Sequence, residues 1–517
     1  MPKNRNWVGL GVLALPTLLV TMDLSVLFLA VPKLTRALHP SSSELLWITD
    51  AYGLMIAASL ITMGTLGDRI GRRRLLFLGG GGFALCSLAA AFSTTPEMLI
   101  VARALLGVSG AALAPSSLAL IRNMFDDDHE RRLAISIWIS CFAAGGAIGP
   151  LLGGVLLQHF WWGSVFLPNV PVMALLLAAG PRLLPESRDT SPGGIDLLSV
   201  AMSLSALLAI VYGTIRVAGV GAAPPALAFI LIGLLIGGLF VRRQRRLRYP
   251  LVDVRLFCAR RFSSAVAALF VSLFIIAGTD LFIAQYIQLV HHFSPLATGL
   301  WLLPEIGGLI VGSMVSPMLA RVLQPGRAIV AALGVAVAGA LILATLQDTS
   351  SVVLLASGMT LLGLGAGPVG ALGTDILIAT TPPERAGAAS AVSETAIELG
   401  GALGIALLGS LGTAVYRSTL AATAPAGLSP STMAAAKSTL GGALEATQHL
   451  QSRLADPLSH AARVAFSDGF TAAAAAAAGV AAATALVAAV ILRDPDPQSD
   501  PVPQPRSDGS IVRGSAS

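Results

Sequence analysis

Runs of roughly 20 predominantly apolar residues recur along this 517-residue chain, and a run of that length crosses the hydrocarbon of a bilayer as one helix. Read this way, the pattern predicts spans at 8–31, 46–66, 75–93, 98–121, 133–157, 164–184, 196–216, 225–241, 262–290, 297–320, 328–346, 352–380, 386–412 and 469–492. That is fourteen, with 225–241 the shortest. Three stretches break the pattern. The basic loop 242–261 divides the first eight spans from the last six, 413–468 is polar and Ala-rich, and 493–517 is a Pro/Asp/Ser-rich tail expected to be disordered.

The charges orient these spans. With the N-terminus in the cytoplasm, 25 of the 33 Lys and Arg residues fall in cytoplasmic segments. Six fall outside (Lys33, Arg36, Arg417, Lys437, Arg453, Arg463), and Arg103 and Arg216 lie within spans. This is the bias of the positive-inside rule, and one missed helix would invert it from that point on. An even number of spans with both termini cytoplasmic is therefore expected. No small-residue cleavage site follows the first apolar run, so that run is expected to remain as a span.

Composition removes the alternatives to a membrane protein. The chain is 55% hydrophobic and 12% charged, about half the charge a soluble domain needs to cover its surface. The basic residues are nearly all arginine and sit in short segments between apolar runs, unlike the clustered face of a nucleic-acid binder. Cys86, Cys141 and Cys258 lie far apart and suggest neither a disulfide framework nor a metal cluster. The chain has no Gly-Lys dipeptide, hence no P-loop for ATP, and no HExxH or clustered Cys/His metal site. It is expected to need no cofactor, with a proton gradient as its energy source, and to act as a secondary transporter rather than an enzyme.

Charged groups within the spans are few and expensive, so they mark pathways. Asp23, Asp50, Asp280, Glu305, Asp375, Glu394 and Glu398 are the acids involved. A carboxylate withheld from water can accept a proton or attract a lipophilic cation, and competition between the two is enough for antiport. Asp23, Asp280, Glu394 and Glu398 lie deepest, with Glu394 and Glu398 one turn apart on one helical face. Asp50 and Glu305 lie nearer the outer ends, where a hydrated structural role also fits, and Asp375 is expected to end a helix. Arg103 either snorkels to an interface or faces a polar cavity with an acidic partner. Trp47, Tyr52, Trp138, Tyr286 and Trp301 suit a cation-lined cavity or plain packing.

Two local patterns are more specific. Between spans 2 and 3 the chain reads Gly64-Thr-Leu-Gly-Asp68-Arg69-Ile-Gly71-Arg72-Arg73-Arg74, a tight turn with a basic cluster suited to anionic headgroups. Span 5 carries Gly145-Gly146-Ala-Ile-Gly149-Pro150-Leu-Leu-Gly153-Gly154. Its small residues four apart permit close helix contact, and its proline interrupts the helix hydrogen bonds.

In order and spacing, both patterns resemble motifs of the major facilitator superfamily, in particular its fourteen-helix drug–proton antiporter branch. The resemblance to the QacA/SmvA-type quaternary ammonium efflux pumps runs nearly end to end. It includes MDLSVLFLAVPKL, LWITDAYGLM, VFLPNVP, VDVRLF, SPLATGLWLLP and PPERAGAASAVSE. It implies an all-α membrane protein with the major facilitator superfamily fold. A six-helix bundle over 1–185 and a second over 262–492 would flank two inserted helices and a linker at 186–261, with 413–468 as an extracellular segment. It also implies a latch role for Gly64, Asp68, Arg69, Gly71 and Arg72, and a sealing role for Gly145, Gly149, Pro150, Gly153 and Gly154. Arg103 and the acids Asp23, Asp50, Glu394 and Glu398 match charged sites of such pumps. Where the relatives have a span 10 acid this chain has Leu309, with Glu305 one turn earlier, and Ser393 replaces an acid before Glu394. The implied activity is proton-coupled efflux of lipophilic cations such as quaternary ammonium antiseptics and dyes. It would be carried out by a monomer in the cytoplasmic (inner) membrane of a bacterium, with no nucleic-acid partner. Export of an endogenous metabolite or antibiotic by the same fold is the alternative, and a non-transporting membrane sensor is the remote one.

Overall fold

The computed structural model describes residues 3–125, 127–186, 196–220, 224–247, 254–381 and 386–491, and every regular element among them is helical. The first six helices are α1 (Lys3–Leu38), α2 (Ser42–Ile70), α3 (Arg72–Ala91), α4 (Pro96–Met124), α5 (Asp128–His159) and α6 (Asn169–Leu183). They surround a core that runs from Leu10 to Leu184. Next, α7 (Leu197–Val220) and α8 (Pro224–Gln244) form an antiparallel hairpin. A second bundle contains α9 (Arg260–Gln285), α10 (Pro295–Leu323), α11 (Pro325–Leu343), α12 (Val352–Ala379) and α13 (Ala386–Thr423). Two short helices follow, α14 (Pro430–Ser438) and α15 (Leu440–Thr447), and α16 (Ser452–Ile491) completes the second bundle. Val211 and Ile215 of α7 are buried in the second core together with Leu46 and Leu54 of α2.

By length and apolar content, twelve of these helices are able to cross a membrane, and the chain is a multi-pass membrane protein. The other two expected spans correspond to α2 and α5. At 29 and 32 residues both are long enough to cross, but they are not in that set. The apolar pattern also understates some ends. α1 runs to Leu38 rather than 31, α13 to Thr423 rather than 412, and α16 begins at Ser452 rather than 469. The reason is that an apolar run marks only the hydrocarbon-facing part of a helix. Beyond it, α16 continues as an amphipathic helix that buries Leu458, Ala461, Ala462 and Ala465 against protein. The expected latch residues begin within α2, and the tail 493–517 lies outside the described residues.

The face carrying the start of α1 and the α2–α3 junction is the near face; the α1–α2 junction lies on the far face. Close approaches between the bundles gather at the far face. A methyl group at Gly299 of α10 would strike the Pro150 carbonyl of α5, and one at Gly154 would strike Leu296. Gln288 Nε2 donates to the Leu29 carbonyl at 3.0 Å, Gly409 of α13 lies against Leu46 of α2, and Ser42 bonds the Ser438 carbonyl.

On the near face, Arg243 at the end of α8 grips Asp196, which precedes α7, with Nε and Nη2 each at 2.9 Å. Ser199 Oγ donates to Asp196 at 2.6 Å, and Gln244 donates to Ser199 at 2.8 Å. These bonds, led by the one from Arg243, hold the Asp196 carboxyl well below its ordinary value of 3.8. A depressed carboxyl stabilises the fold above its unfolded-state value and loses that contribution as pH falls through the folded one. Asp196→Asn is therefore expected to lower the apparent Tm at neutral pH, with a gap to wild type that persists until pH falls below about 4. Thermal unfolding across a pH series measures it, and a gap already closed at about pH 6 would overturn this account.

Candidate functional site

Close helix contacts place the charged groups. A methyl group at Gly107 of α4 would collide with the Tyr52 carbonyl and Met55 of α2, so the two backbones approach there. Arg103, one turn before Gly107, is carried into the bundle with only 1% exposure. Its Nη1 pairs with Asp23 Oδ2 of α1, and its Nε donates to the Ile48 carbonyl at 3.2 Å. The guanidinium lies 4.7 Å from the Tyr52 ring centre. Asn169, at the start of α6, donates to Asp23 Oδ1 at 3.3 Å and to Ser87 of α3 at 3.1 Å. The Tyr52 hydroxyl donates to the Val20 carbonyl at 3.1 Å. Five helices thus converge on one salt bridge. The reading of Arg103 as an interfacial snorkel does not fit this burial.

Asp50 is fully buried in the same bundle, and neither carboxyl oxygen has a hydrogen-bond partner among the described residues. It lies close enough to Arg103 to feel its charge. A buried carboxylate without a donor is costly, so a proton or a cation is what can neutralise it. This burial leaves no room for a hydrated role at the membrane edge. The same holds for Glu305, which is 7% exposed. Its side chain meets Asp280 of α9 within hydrogen-bonding reach, and each acid keeps one buried oxygen with no partner among the described residues. Asp280 and Glu305 stand equally far along the chain from the turn joining α9 to α10, and that symmetry is a sequence signal for the pairing.

On α13, Glu398 is half-buried and Glu394 exposed. The two act on each other electrostatically, and Glu398 also acts on Tyr52 of the first bundle. Ser393 pairs with Thr374 of α12 at 3.3 Å. Asp375 is exposed, about one turn before the end of α12. Of the aromatic candidates, Tyr52 stacks on Arg103, and buried Trp138 donates to Ser117 at 3.0 Å. Asn169 and Ser87 were not legible as site residues from the sequence. An amide inside an otherwise apolar segment was the available signal for Asn169.

The glycine face of α5 packs on the helix that carries Asp23. A methyl group at Gly145 would strike the Leu18 carbonyl and the Thr21 hydroxyl; at Gly149, the Ser25 hydroxyl and the Met22 carbonyl; at Gly153, Val26. Residues four apart on α5 therefore lie in register with residues four apart on α1. On the near face, α2 and α3 are joined by Gly71 alone, at φ 105°, a left-handed backbone that favours glycine. Arg73 just beyond it donates to the Leu184 carbonyl at 3.0 Å and lies 3.6 Å from Glu186. Arg69 is exposed, Arg72 half-buried, and a methyl group at Gly64 would meet no neighbouring atom. The Asp68 side chain lies outside the described part of the structure.

The family model for the Major Facilitator Superfamily matches residues 13–405. Among relatives, the Multidrug efflux pump LfrA of Mycolicibacterium smegmatis is 44% identical over 90% of this chain and 92% of its own length. The Methyl viologen resistance protein SmvA of Salmonella typhimurium is 36% identical over 89% of this chain and 93% of its own. The Tetracenomycin C resistance and export protein of Streptomyces glaucescens is 34% identical over 79% and 76%. Among solved structures, an inward-facing bacterial homologue of the human lysosomal transporter Spinster superposes with a TM-score of 0.69 at 16% identity, covering 96% of this chain and all of that one.

Breaking a buried ion pair costs about 3–5 kcal/mol, because the remaining charge stays uncompensated. Arg103→Met is expected to lower the apparent Tm sharply and to abolish transport. Arg103→Lys should recover little, because lysine cannot serve Asp23, the Ile48 carbonyl and the Tyr52 face together. Thermal unfolding and a dye-transport assay on both variants measure this, and full transport by Arg103→Lys would refute the geometric role. For the seal, Gly149→Val should displace α1 at an overpacking cost of about 1–3 kcal/mol and reduce transport in the same assay, whereas unchanged transport would remove the seal argument.

Proposed function

The chain belongs to the Major Facilitator Superfamily, and from that premise we propose that it exports lipophilic organic cations in exchange for protons by alternating access. It is a transporter and not an enzyme, and small molecules are its cargo. The observation that carries the reading is the imbalance of charge within the two bundles. Among the described residues, six carboxyls (Asp23, Asp50, Asp280, Glu305, Glu394 and Glu398) lie within the helices against one buried guanidinium, Arg103, which already pairs with Asp23. A monovalent cation about 4 Å from a carboxylate gains about 4 kcal/mol at an effective dielectric of about 20, against about 1 kcal/mol in water. Cargo is then held while water is excluded and released when it returns. Protons arriving from the other side neutralise the same carboxyls and reset them, and groups this close titrate as a set.

Orientation follows from charge. With the arginine-rich near face in the cytoplasm, contact between the bundles closes the extracellular side, and Glu394, exposed and in the near-face half of α13, receives cargo from inside. The protein would then work in the inner membrane of a bacterium, with both termini cytoplasmic and no cofactor beyond the proton gradient. Glu305 beside Asp280 supplies the acid pair that a second charge on the cargo needs, so dications are candidate cargo. That SmvA is named for methyl viologen resistance supports this direction.

A second reading is export of a self-made antibiotic. The puromycin resistance protein of Streptomyces alboniger is 35% identical, and the tetracenomycin exporter favours the same idea. Everted vesicles containing the protein distinguish the two, with ethidium, a quaternary ammonium compound, methyl viologen and a neutral antibiotic added in turn. Cation-dependent proton release is expected, lost in Asp23→Asn and Glu394→Gln. Glu305→Gln should reduce methyl viologen-driven proton release at least tenfold more than ethidium-driven proton release. Undiminished exchange in both Asp23→Asn and Glu394→Gln would end the carboxylate assignment, and activity on the neutral antibiotic alone would favour the second reading.

A further inference from the structure

The far face carries few basic residues, yet three of them meet. Arg216 near the end of α7, Arg417 on α13 and Lys437 on α14 line one cavity of about 680 Å³. The sequence pattern put Arg216 inside a span, and the structure sets it one turn before the end of α7. The floor of the cavity is the N-terminus of α2, with Ser42 and Ser43, whose amides have no carbonyl partner one turn back in the helix. Helix N-termini of this kind favour anions. Among the described lining residues the one acid is Glu44, which accepts from the Ser41 amide at 2.7 Å and also meets Glu97 of α4, so three basic groups stand against one carboxylate. The cavity is thus cationic, and it repels the cargo proposed above.

Its wall says which anion fits. Arg216 Nε donates to the Tyr212 hydroxyl at 2.9 Å, which leaves the terminal nitrogens for a ligand. The Tyr212 ring lies between Trp47, at 6.4 Å, and Phe229 of α8, at 4.7 Å. Phe229 is exposed, and its side of α8 continues as an open apolar strip with exposed Ile232 and Leu239. A charged head beside an uncovered apolar strip suits an amphiphile better than a free ion. We propose that this cavity binds the phosphate headgroup of an anionic phospholipid, with its acyl chains lying along α7 and α8. Docked there, the lipid bridges the inserted hairpin, α2 and the α13–α14 segment, at the side where the two bundles meet. Only the leaflet concerned depends on the orientation given above.

Native mass spectrometry of the full chain in detergent tests the site, with short-chain phosphatidylglycerol, phosphatidylcholine of the same chain length, and inorganic phosphate as probes. Wild type is expected to retain phosphatidylglycerol over phosphatidylcholine. Arg216→Gln/Lys437→Gln should weaken phosphatidylglycerol binding about tenfold or more, and Arg216→Lys should keep most of it. If the double variant does not fold, Arg216→Gln compared with Arg216→Lys makes the same comparison. Equal phosphatidylglycerol binding by the glutamine variants, equal retention of the two lipids, or displacement by an equal concentration of inorganic phosphate would each overturn the proposal.

Discussion

A guanidinium with almost no exposure, deep in an apolar bundle, must find its counter-charge and its hydrogen bonds within the protein. Removing an ion from water costs several kcal/mol even after relaxation, and only close, well-aligned partners offset it. Arg103 meets that demand with Asp23 from α1, the Ile48 carbonyl and Tyr52 from α2, while Asn169 from α6 supports Asp23 and is itself held near Ser87 of α3. The requirement dictates how near the helices must come, and glycine supplies the room. Gly107 brings α4 to α2, and Gly145 and Gly149 bring α5 to α1. Packing and electrostatics in the first bundle are therefore one problem, because a side chain at a glycine position would disturb the salt bridge.

The second bundle is arranged differently. Asp280 meets Glu305, and Glu394 lies one turn from Glu398, with no arginine or lysine hydrogen-bonded to any of the four among the described contacts. The first bundle thus holds a compensated pair and one orphan, Asp50, while the second holds two pairs of like charge. Glu398 links the halves through its effect on Tyr52, the ring that also covers Arg103. In the proposed cycle, a change of charge on α13 is felt at the arginine through one aromatic ring. In that cycle contact between α2 and α13 would change as the bundles rock, so that binding and conformation would share the same residues.

Much was legible before any coordinates. The apolar runs, the arginine bias toward alternate loops and the low charged fraction identify a multi-pass membrane protein, because hydrocarbon thickness and insertion bias act on local stretches of chain. The glycine spacing on α5 and a glycine-containing tight turn between α2 and α3 were readable for the same reason: 3.6 residues per turn and a left-handed φ are local properties. Asp23, Arg103 and the α13 acids stood out because a charge inside a span needs a reason to be there.

Partnership was not legible. Whether Arg103 reaches water or Asp23 depends on helix crossings set by glycines far away in the chain, and Asn169 joins the cluster only because α6 begins where α1 passes. Asp50 and Glu305 were ambiguous in the sequence, where distance along the chain measures depth but not what lies alongside. The meeting of Arg216, Arg417 and Lys437 shows this most plainly, since their three segments are brought together only by packing at the far face. Sequence by itself determined what crosses the membrane and which residues are too polar to be there by accident. Tertiary structure alone decided which charges neutralise one another, because Coulomb energy depends on separation in space and sequence order does not carry it.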